Sequence, residues 1–184
     1  MKIVAITGNL TRPSKTRAVA DYVVGRARSC GDVVNCWDLV DLHPHLGATI
    51  WPSDAAENVK AALEDVATSD LLIVGSPVYK ASYTGLLKHF FDLIDMKALK
   101  GRHIIAFATG KAPAHGPLVE VSMRALFDFF DAQIDGKFIF ALDEDFDNAV
   151  LSENLRAAVD DTFDNARRAV SAWRAGGYQW PFPA

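Results

Sequence analysis

Three of the side-chain hydroxyls in the segment TGNLTRPSKTR cluster over residues 11–16 and belong to Thr11, Ser14 and Thr16. Ser14 is a typical N-cap residue for the apolar-periodic segment that follows, so the hydroxyls surround a predicted helix N-terminus. The free backbone N–H groups of such a terminus carry partial positive charge and attract phosphate. Arg12 and Lys15 add positive potential. The segment therefore predicts a phosphate-binding loop; the alternative is a capped helix with incidental polar neighbours.

The two common phosphate-loop motifs do not fit this segment. A G-x-x-x-x-G-K-[ST] loop beginning at Gly8 needs glycine and lysine where the chain has Pro13 and Ser14. A dinucleotide G-x-G-x-x-G loop needs glycine where the chain has Leu10. The remaining prediction is a hydroxyl-rich cradle suited to the terminal phosphate of a mononucleotide.

A second candidate segment, SPVYKASYTG, follows the apolar run LLIVG. Pro77 fixes its own φ and has no N–H, which stiffens the turn. We expect the backbone N–H groups of residues 78–81 to face a flat heteroaromatic ligand, with Tyr79 stacking or hydrogen-bonding. Small residues leave room for that ligand or for a second one stacked on it, namely Ala81, Ser82 and Gly85.

A third candidate segment is ATGKAPAHG. Thr109 and Gly110 end a predicted strand with a hydroxyl and an unobstructed backbone, which suits the polar edge of a bound ring. Lys111 and His115 follow. For His115 two interpretations stay open, a ligand contact or the cap of the helix that begins there.

Alternating strands and helices must position these three segments. Short apolar runs separated by helical periods are typical of a parallel sheet covered on both faces. Five such units in one domain predict an α/β fold with a doubly wound sheet, whose ligands bind beyond the carboxyl ends of the strands. The predicted strands are 2–7, 33–39, 71–76, 103–109 and 135–142, and the predicted helices are 14–29, 55–69, 84–95, 116–132 and 150–174.

Bulk properties narrow the class of protein. The formal charge is −4, from 23 acidic and 19 basic residues, and no basic stripe indicates nucleic-acid binding. The apolar runs are shorter than the ~20 residues of a membrane helix, and MKIVAIT begins directly as a strand. We therefore predict a cytoplasmic protein that binds neither nucleic acid nor membrane, with no metal at the His43–His45 pair. One domain is expected over 1–175, followed by an aromatic, proline-containing tail over 176–184 that docks or stays mobile.

Two of these segments carry a resemblance to a known family. P-x-Y at 77–79 followed by G-x-L-K-x-x-x-D at 85–92 resembles the signature of NAD(P)H-dependent FMN reductases with a flavodoxin-like fold. The strings SPVYKASYTGLLK and ATGxxxAH are similar to one branch, the flavin reductases of two-component monooxygenases of the alkanesulfonate and EDTA type. The resemblance extends from Met1 to about Asp131 and implies a five-stranded sheet of order 2-1-3-4-5.

The resemblance also implies a set of ligand contacts. FMN phosphate would meet the first segment, the flavin ring would lie on the second, and its far edge would meet the third. The implied FMN contacts are Asn9, Thr11, Arg12, Ser14, Thr16, Pro77, Val78, Tyr79, Lys80, Thr109 and Gly110. The possible contacts on the nicotinamide side are Ser82, Lys111 and His115.

The implied activity is hydride transfer from NADPH or NADH to FMN N5, with no catalytic side chain, because the chemistry belongs to the cofactor. Reduced FMN would then pass to a partner monooxygenase, and the protein would be a homodimer or homotetramer. The chain departs from the family at Asn9, where serine is common, and at Lys111, where glycine is frequent. Val121 stands where alkanesulfonate-linked enzymes carry an inserted tyrosine, so a role tied to that tyrosine is not carried over.

Two rival functions remain at this point. One is a quinone or azo reductase that retains its FMN and reduces a second substrate in place. The other, from a different class, is a flavodoxin-type electron carrier without nicotinamide turnover. Such a carrier is expected to surround its flavin with acidic residues, whereas this chain places four cations in the three candidate segments, Arg12, Lys15, Lys80 and Lys111.

Overall fold

A computed structural model describes residues 1–176 and contains a parallel sheet with the strand order β2-β1-β3-β4-β5. A short strand, β6, also pairs in parallel with β4, beyond the end of β5. The strands are β1 (Lys2–Thr7), β2 (Val33–Asp38), β3 (Leu71–Pro77), β4 (His103–Gly110), β5 (Gln133–Ile134) and β6 (Ile139–Leu142). The predicted doubly wound α/β fold and its strand order are confirmed.

Helices cover both faces of this sheet. α1 (Lys15–Ser29) and α7 (Glu153–Arg174) pack on one face, and α4 (Glu57–Ala67), α5 (Gly85–Asp92) and α6 (Gly116–Phe129) pack on the other. Successive residues of a strand point to opposite faces. Leu72 and Val74 therefore belong to the α4–α6 core, whereas Leu71 and Ile73 belong to the α1–α7 core. This two-sided burial explains why LLIV is continuously apolar.

The predicted strand 135–142 is wrong as one uninterrupted element. The chain leaves the sheet after β5 and returns at β6, and Gly136 lies between them with a φ of 67°. Asp135 is 5% exposed and its Oδ2 lies 2.9 Å from His103 Nδ1. The backbone turns where this carboxylate contacts His103 of β4. A run of apolar residues does not predict such a contact.

The remaining departures are short elements. Three short helical elements lie in and around the predicted connection 43–53. They are α2 (Leu39–Leu42), which precedes it, α3 (His45–Ala48), and a 3₁₀ turn at Pro52–Asp54. A hairpin of β7 (Phe146–Asp147) and β8 (Val150–Leu151) precedes α7. α7 has 22 residues, and neither it nor any other helix in residues 1–176 is apolar enough to cross a bilayer. Of the predicted tail, only Gly176 is among the described residues; 177–184 lie outside them.

The carboxyl ends of β1, β3, β4 and β6 lie at one edge of the sheet. Thr7 pairs with Gly75, Pro77 with Thr109, and Gly110 with Leu142. Since the strands are parallel, the three candidate segments leave the sheet side by side. This edge is where a shared site can form.

Candidate functional site

A cleft of about 620 Å³ lies at this edge and is bounded by all three segments. Nine of the eleven predicted FMN contacts line it, namely Asn9, Thr11, Ser14, Thr16, Pro77, Val78, Tyr79, Thr109 and Gly110. Lys111 and His115 line it as well, whereas Arg12, Lys80 and Ser82 do not. The lining also includes residues that the sequence did not single out as contacts, Leu10, Pro13, Lys15, Ala112 and Asp143.

The N-terminus of α1 forms one end of the cleft. Ser14 caps the helix by accepting a hydrogen bond from Arg17 N at 3.2 Å. Thr16 is 1% exposed, and its Oγ1 lies 2.7 Å from Thr109 Oγ1 across the cleft floor. This hydroxyl pair joins the first segment to the third. The free N–H groups of the first helical turn and these hydroxyls are neutral hydrogen-bond donors of the kind that hold phosphate.

Asn9 supplies an unused polar atom at the same end. It is 2% exposed, and its Nδ2 donates to Thr11 O at 3.2 Å. Its Oδ1 is buried without a hydrogen-bond partner among the described residues. Buried polar atoms are normally satisfied, so an orphaned acceptor in a cleft points to a ligand that donates. A sugar-chain hydroxyl next to the phosphate is such a donor.

Arg12 is held outside the cleft. Its Nε and Nη2 donate to Asp38 Oδ2 at 3.1 and 2.9 Å, and its Nη1 donates to Asp41 Oδ1 at 2.9 Å. The hydrogen bond with Asp41 raises the pKa of Arg12 and lowers the pKa of Asp41. The structure thus directs this guanidinium toward β2 and α2. Its predicted phosphate contact stays a prediction, without support from this geometry.

The second segment folds into a tight two-residue turn. Tyr79 N donates to Ser82 O at 2.8 Å and Ser82 N donates to Tyr79 O at 3.1 Å. The two residues between them, Lys80 and Ala81, have φ values of 53° and 64°, the left-handed pair of a type I′ turn. Val78 N donates to Thr109 O at 2.8 Å. The expectation that all N–H groups of 78–81 face a ligand is therefore wrong for Val78 and Tyr79, because the turn and β4 use them.

Two buried hydroxyl residues join this segment to the first. Thr84 N donates to Ser76 Oγ at 3.1 Å, and Thr84 Oγ1 donates to Gly8 O at 2.9 Å. Gly8 N in turn donates to Gly75 O at 2.7 Å. A Cβ on Gly8 would lie 2.9 Å from Thr84 Oγ1. Glycine is thus needed here for close approach of the loops, and no sequence pattern indicates these partners.

Gly110 provides close packing at the far edge. A Cβ there would lie 2.8 Å from Phe140 Cζ and 3.5 Å from Val78 Cγ2. His115 precedes α6 without a side-chain capping hydrogen bond, which leaves the ligand-contact interpretation the better supported of the two. Lys111 makes no ion pair or hydrogen bond among the described residues.

A second, larger cavity of about 760 Å³ lies between α5 and α6. We call it the helix groove; its lining includes Tyr83, Phe91, Ile94, Met96, Leu126, Phe129 and Phe130. Apolar side chains on and beside it are exposed, including Phe129 at 66% and Val121 at 67%. Within residues 1–176 no cluster of metal-ligating side chains occurs. The cleft therefore combines a helix N-terminus with converging hydroxyls, whereas the groove presents exposed aromatic and aliphatic side chains beside Lys88, Asp92 and Asp95.

Comparison with known proteins identifies the family. The family model described as NADPH-dependent FMN reductase matches residues 1–147. The chain belongs to this family. It is therefore an oxidoreductase that acts on FMN with a nicotinamide nucleotide, as the resemblance implied.

Individual relatives are similar over most of the chain. A protein named FMN reductase (NADPH) from Pseudomonas aeruginosa is 37% identical over 160 residues, which cover 86% of each chain. A protein named NADH-dependent FMN reductase SfnF from Pseudomonas fluorescens is 34% identical over 161 residues, again 86% of each. The crystal structure of an NADH:FMN oxidoreductase (EMOB) in its apo form superposes with a TM-score of 0.80 at 29% identity, covering 91% of this chain and 88% of that one.

The cleft fits FMN by its own chemistry. Helix N-terminal N–H groups and hydroxyls suit the phosphate, and the orphaned Asn9 Oδ1 suits a ribityl hydroxyl. Gly110 allows the third segment to pack closely on Phe140, because a Cβ there would lie 2.8 Å from Phe140 Cζ. Pro77 and Gly110 both border the space that a flat ring would occupy. The volume, about 620 Å³, is within the range of small-molecule sites.

Proposed function

We propose that this reductase takes FMN into the cleft as an exchangeable ligand and releases the reduced flavin to a separate flavin-dependent monooxygenase. The supporting observation is the convergence of nine predicted FMN contacts in one open cleft whose polar groups are mainly neutral donors. A relative of similar length, SfnF, is named an NADH-dependent FMN reductase, which agrees with turnover of flavin rather than electron carriage alone.

Different residues of the cleft would contact different parts of FMN. The α1 N-terminus, with Ser14 and Thr16, would bind the phosphate. Pro77 and Tyr79 would support one face of the ring, while Thr109 and Gly110 would border its edge. When bound, the flavin supplies the hydride-accepting chemistry. The protein's contribution is orientation and proximity, so no side chain is assigned a catalytic role.

Two residues are proposed for the nicotinamide nucleotide. Lys111 and His115 line the cleft beside the predicted ring edge, and Lys111 has no carboxylate partner among the described residues. It is therefore the better-placed cation for the 2′-phosphate of NADPH, since Arg12 is paired with Asp38 and Asp41. Ser82 is part of the turn and does not line the cleft. Comparing kcat/KM for NADPH and NADH in Lys111→Ala tests this assignment.

We also propose that the protein self-associates, as a homodimer or homotetramer, through the helix groove. Support comes from the exposed apolar side chains along α6 and after α5, with Leu118 at 53% and Met96 at 61% alongside Phe129 and Val121. An exposed apolar face of this kind is typical of protein–protein contact. Light scattering on the purified protein tests it, and a monomer at working concentration would contradict it.

Anaerobic stopped-flow absorbance tests the proposed function. Mixing protein and FMN with NADH or NADPH should bleach the visible flavin band within turnover time. Absence of bleaching with both nucleotides would refute reductase activity. Dialysis then separates the proposal from its nearest rival, because an exchangeable flavin is lost on dialysis, whereas a quinone or azo reductase that retains FMN stays yellow and shows ping-pong kinetics with a quinone.

A further inference from the structure

The cations at the phosphate end of the cleft are already paired. Residues 12–17 contain three cations, Arg12, Lys15 and Arg17. Arg12 binds Asp38 and Asp41, and Arg17 Nε lies 2.8 Å from Asp21 Oδ1. Both guanidinium groups are therefore engaged by carboxylates. Lys15 is the one of the three that lines the cleft.

Lys15 forms an ion pair with Asp143, a residue 128 positions further along the chain. Its Nζ lies 2.9 Å from Asp143 Oδ1 and 3.4 Å from Asp143 O. It also lies 5.4 Å from the centroid of the Phe146 ring, on the segment that follows Asp143. The carboxylate belongs to the 3₁₀ turn Asp143–Asp145 after β6, and Asp143 itself lines the cleft. The pair thus places one positive and one negative charge at the mouth of the predicted phosphate site.

We propose that Asp143 is an affinity-determining residue that keeps FMN exchangeable, an inference that rests on the proposed function. A phosphate monoester carries a charge of about −1.5 to −2 near neutral pH. A phosphate that contacts Lys15 competes with the Asp143 carboxylate for the Nζ donors, and the carboxylate, which lines the same cleft, repels the phosphate. Phosphate binding is left to neutral hydroxyl and backbone donors. Within residues 1–176 no unpaired cation lines the phosphate end, so oxidised FMN can enter and reduced FMN can leave.

A double-mutant cycle that neutralises Lys15 and Asp143 tests this proposal. FMN and riboflavin are titrated, with flavin fluorescence as the readout, against the wild type, Asp143→Asn, Lys15→Gln and the double variant. Riboflavin carries the same ring and ribityl chain without the phosphate, so it reports contacts other than the phosphate. Glu144→Gln is the matched control, because Glu144 is exposed, adjacent to Asp143, and makes no ion pair among the described residues.

Asp143→Asn should tighten FMN binding by about three- to tenfold, with riboflavin and the Glu144→Gln variant unchanged within about twofold. Lys15→Gln should weaken FMN by a similar factor, since it leaves Asp143 facing the phosphate without a partner. The double variant should return close to the wild type. Raising ionic strength from ~0.05 to ~0.5 M should weaken FMN more in Asp143→Asn than in the wild type.

Two results would overturn this inference and leave the proposed function intact. One is an Asp143→Asn variant that binds FMN no more tightly than the wild type. The other is a double variant as weak as Lys15→Gln, which would make Lys15 an ordinary phosphate ligand and Asp143 irrelevant. In both cases the wild type still binds FMN and is reduced by NAD(P)H. A wild type that neither binds nor reduces FMN refutes the proposed function as well, so the two failures are distinguishable.

Discussion

The cleft and the helix groove have similar volumes but present different polar groups. The cleft of about 620 Å³ at the strand ends contains hydroxyls, glycine backbone and a paired lysine. Half of the residues that line the helix groove of about 760 Å³ are phenylalanine, leucine, isoleucine or methionine, and its polar residues include the Lys88–Asp92 pair, Asp95 and Ser122. The smaller cavity is the better candidate for the ligand, because a nucleotide needs polar groups that converge on it.

The comparison also shows that different parts of the same helices serve the two cavities. α5 begins at the loop that carries Thr84, next to the cleft, and its middle and end face the groove through Phe91 and Asp92. α6 begins after His115, in the cleft, and ends at Phe129, in the groove. Ligand binding and self-association can therefore be altered separately, and substitutions at the two ends of these helices test that separation.

Gly110→Val is expected to have the largest effect. The added side chain collides with Phe140 and Val78, so these residues or the end of β4 must shift, which distorts the ring edge of the cleft. FMN and riboflavin affinity should both fall about a hundredfold (~2.7 kcal/mol). Fluorescence titration measures this. Gly25→Ala is the control, because a Cβ at Gly25 meets nothing within 4 Å; it should bind normally and gain up to ~1 kcal/mol of stability from helix propensity. Unchanged flavin binding in Gly110→Val would remove the cleft as the flavin site.

Thr16→Val tests the phosphate end specifically. It removes the hydroxyl that lies 2.7 Å from Thr109 Oγ1 and keeps the shape of the side chain. A hydrogen bond to a charged group contributes ~1.5–3 kcal/mol, so FMN affinity should fall about tenfold or more, with riboflavin affinity nearly unaffected. Thr68→Val, on an exposed hydroxyl far from the cleft, provides the comparison. Equal losses for FMN and riboflavin would show that Thr16 supports the fold of the cleft and not the phosphate.

Phe129→Ser tests the helix groove. Removing an aromatic anchor from an interface typically costs ~1–2 kcal/mol or more, so the subunit dissociation constant should rise about tenfold. FMN affinity per subunit should not change. Light scattering and fluorescence titration on the same samples measure both. Val150→Ser, which alters an exposed apolar residue on β8 outside the groove, should leave assembly intact. Loss of FMN binding in Phe129→Ser would show that the two cavities are coupled.

Asp65→Asn tests an effect on stability at a residue that lines neither cavity. Burial alone would raise the pKa of Asp65, but hydrogen bonds from Lys2, Trp37 and Asn35 outweigh burial and lower it. Its stabilising contribution is therefore complete above the unfolded-state pKa of 3.8 and is lost as pH falls through the lower folded-state value. At every pH from neutral down to about 5, the unfolding free energy of the variant should be about 1 kcal/mol below that of the wild type. Below the unfolded-state pKa of Asp65 the two unfolding free energies should become equal.

Denaturant titrations at several pH values measure that difference. Flavin affinity should be unchanged throughout. A stability gap that widened at acid pH would contradict the assigned direction of the Asp65 pKa.

Patterns within short windows of sequence were sufficient for most of the fold. β1, β3 and β4 are continuous apolar runs, and Ser14 caps α1 as expected. The interruption of the last strand coincides with a local turn signal, the Asp135–Gly136 dipeptide, and with a contact from Asp135 to His103, 32 residues away. A contact of that range leaves no periodic signal.

The candidate site shows the same limit. Thr11, Ser14 and Thr16 were found by composition near a helix start, and they line the cleft. Arg12 was grouped with them because sequence proximity does not reveal that Asp38 and Asp41 hold its guanidinium elsewhere. Asp143 was missed for a related reason, since 128 residues separate it from Lys15. Charges in a sequence can be counted, but their pairing is set by tertiary structure.

The Ser76–Thr84–Gly8 hydrogen bonds have a consequence for motion. Because Thr84 donates both to Ser76 Oγ and to Gly8 O, the loop under the phosphate end and the loop under the ring cannot separate without breaking buried bonds in both. Amide hydrogen exchange at Gly8 and Thr84 should therefore proceed through one shared opening event with similar protection. We therefore expect the floor of the cleft to open as a single unit.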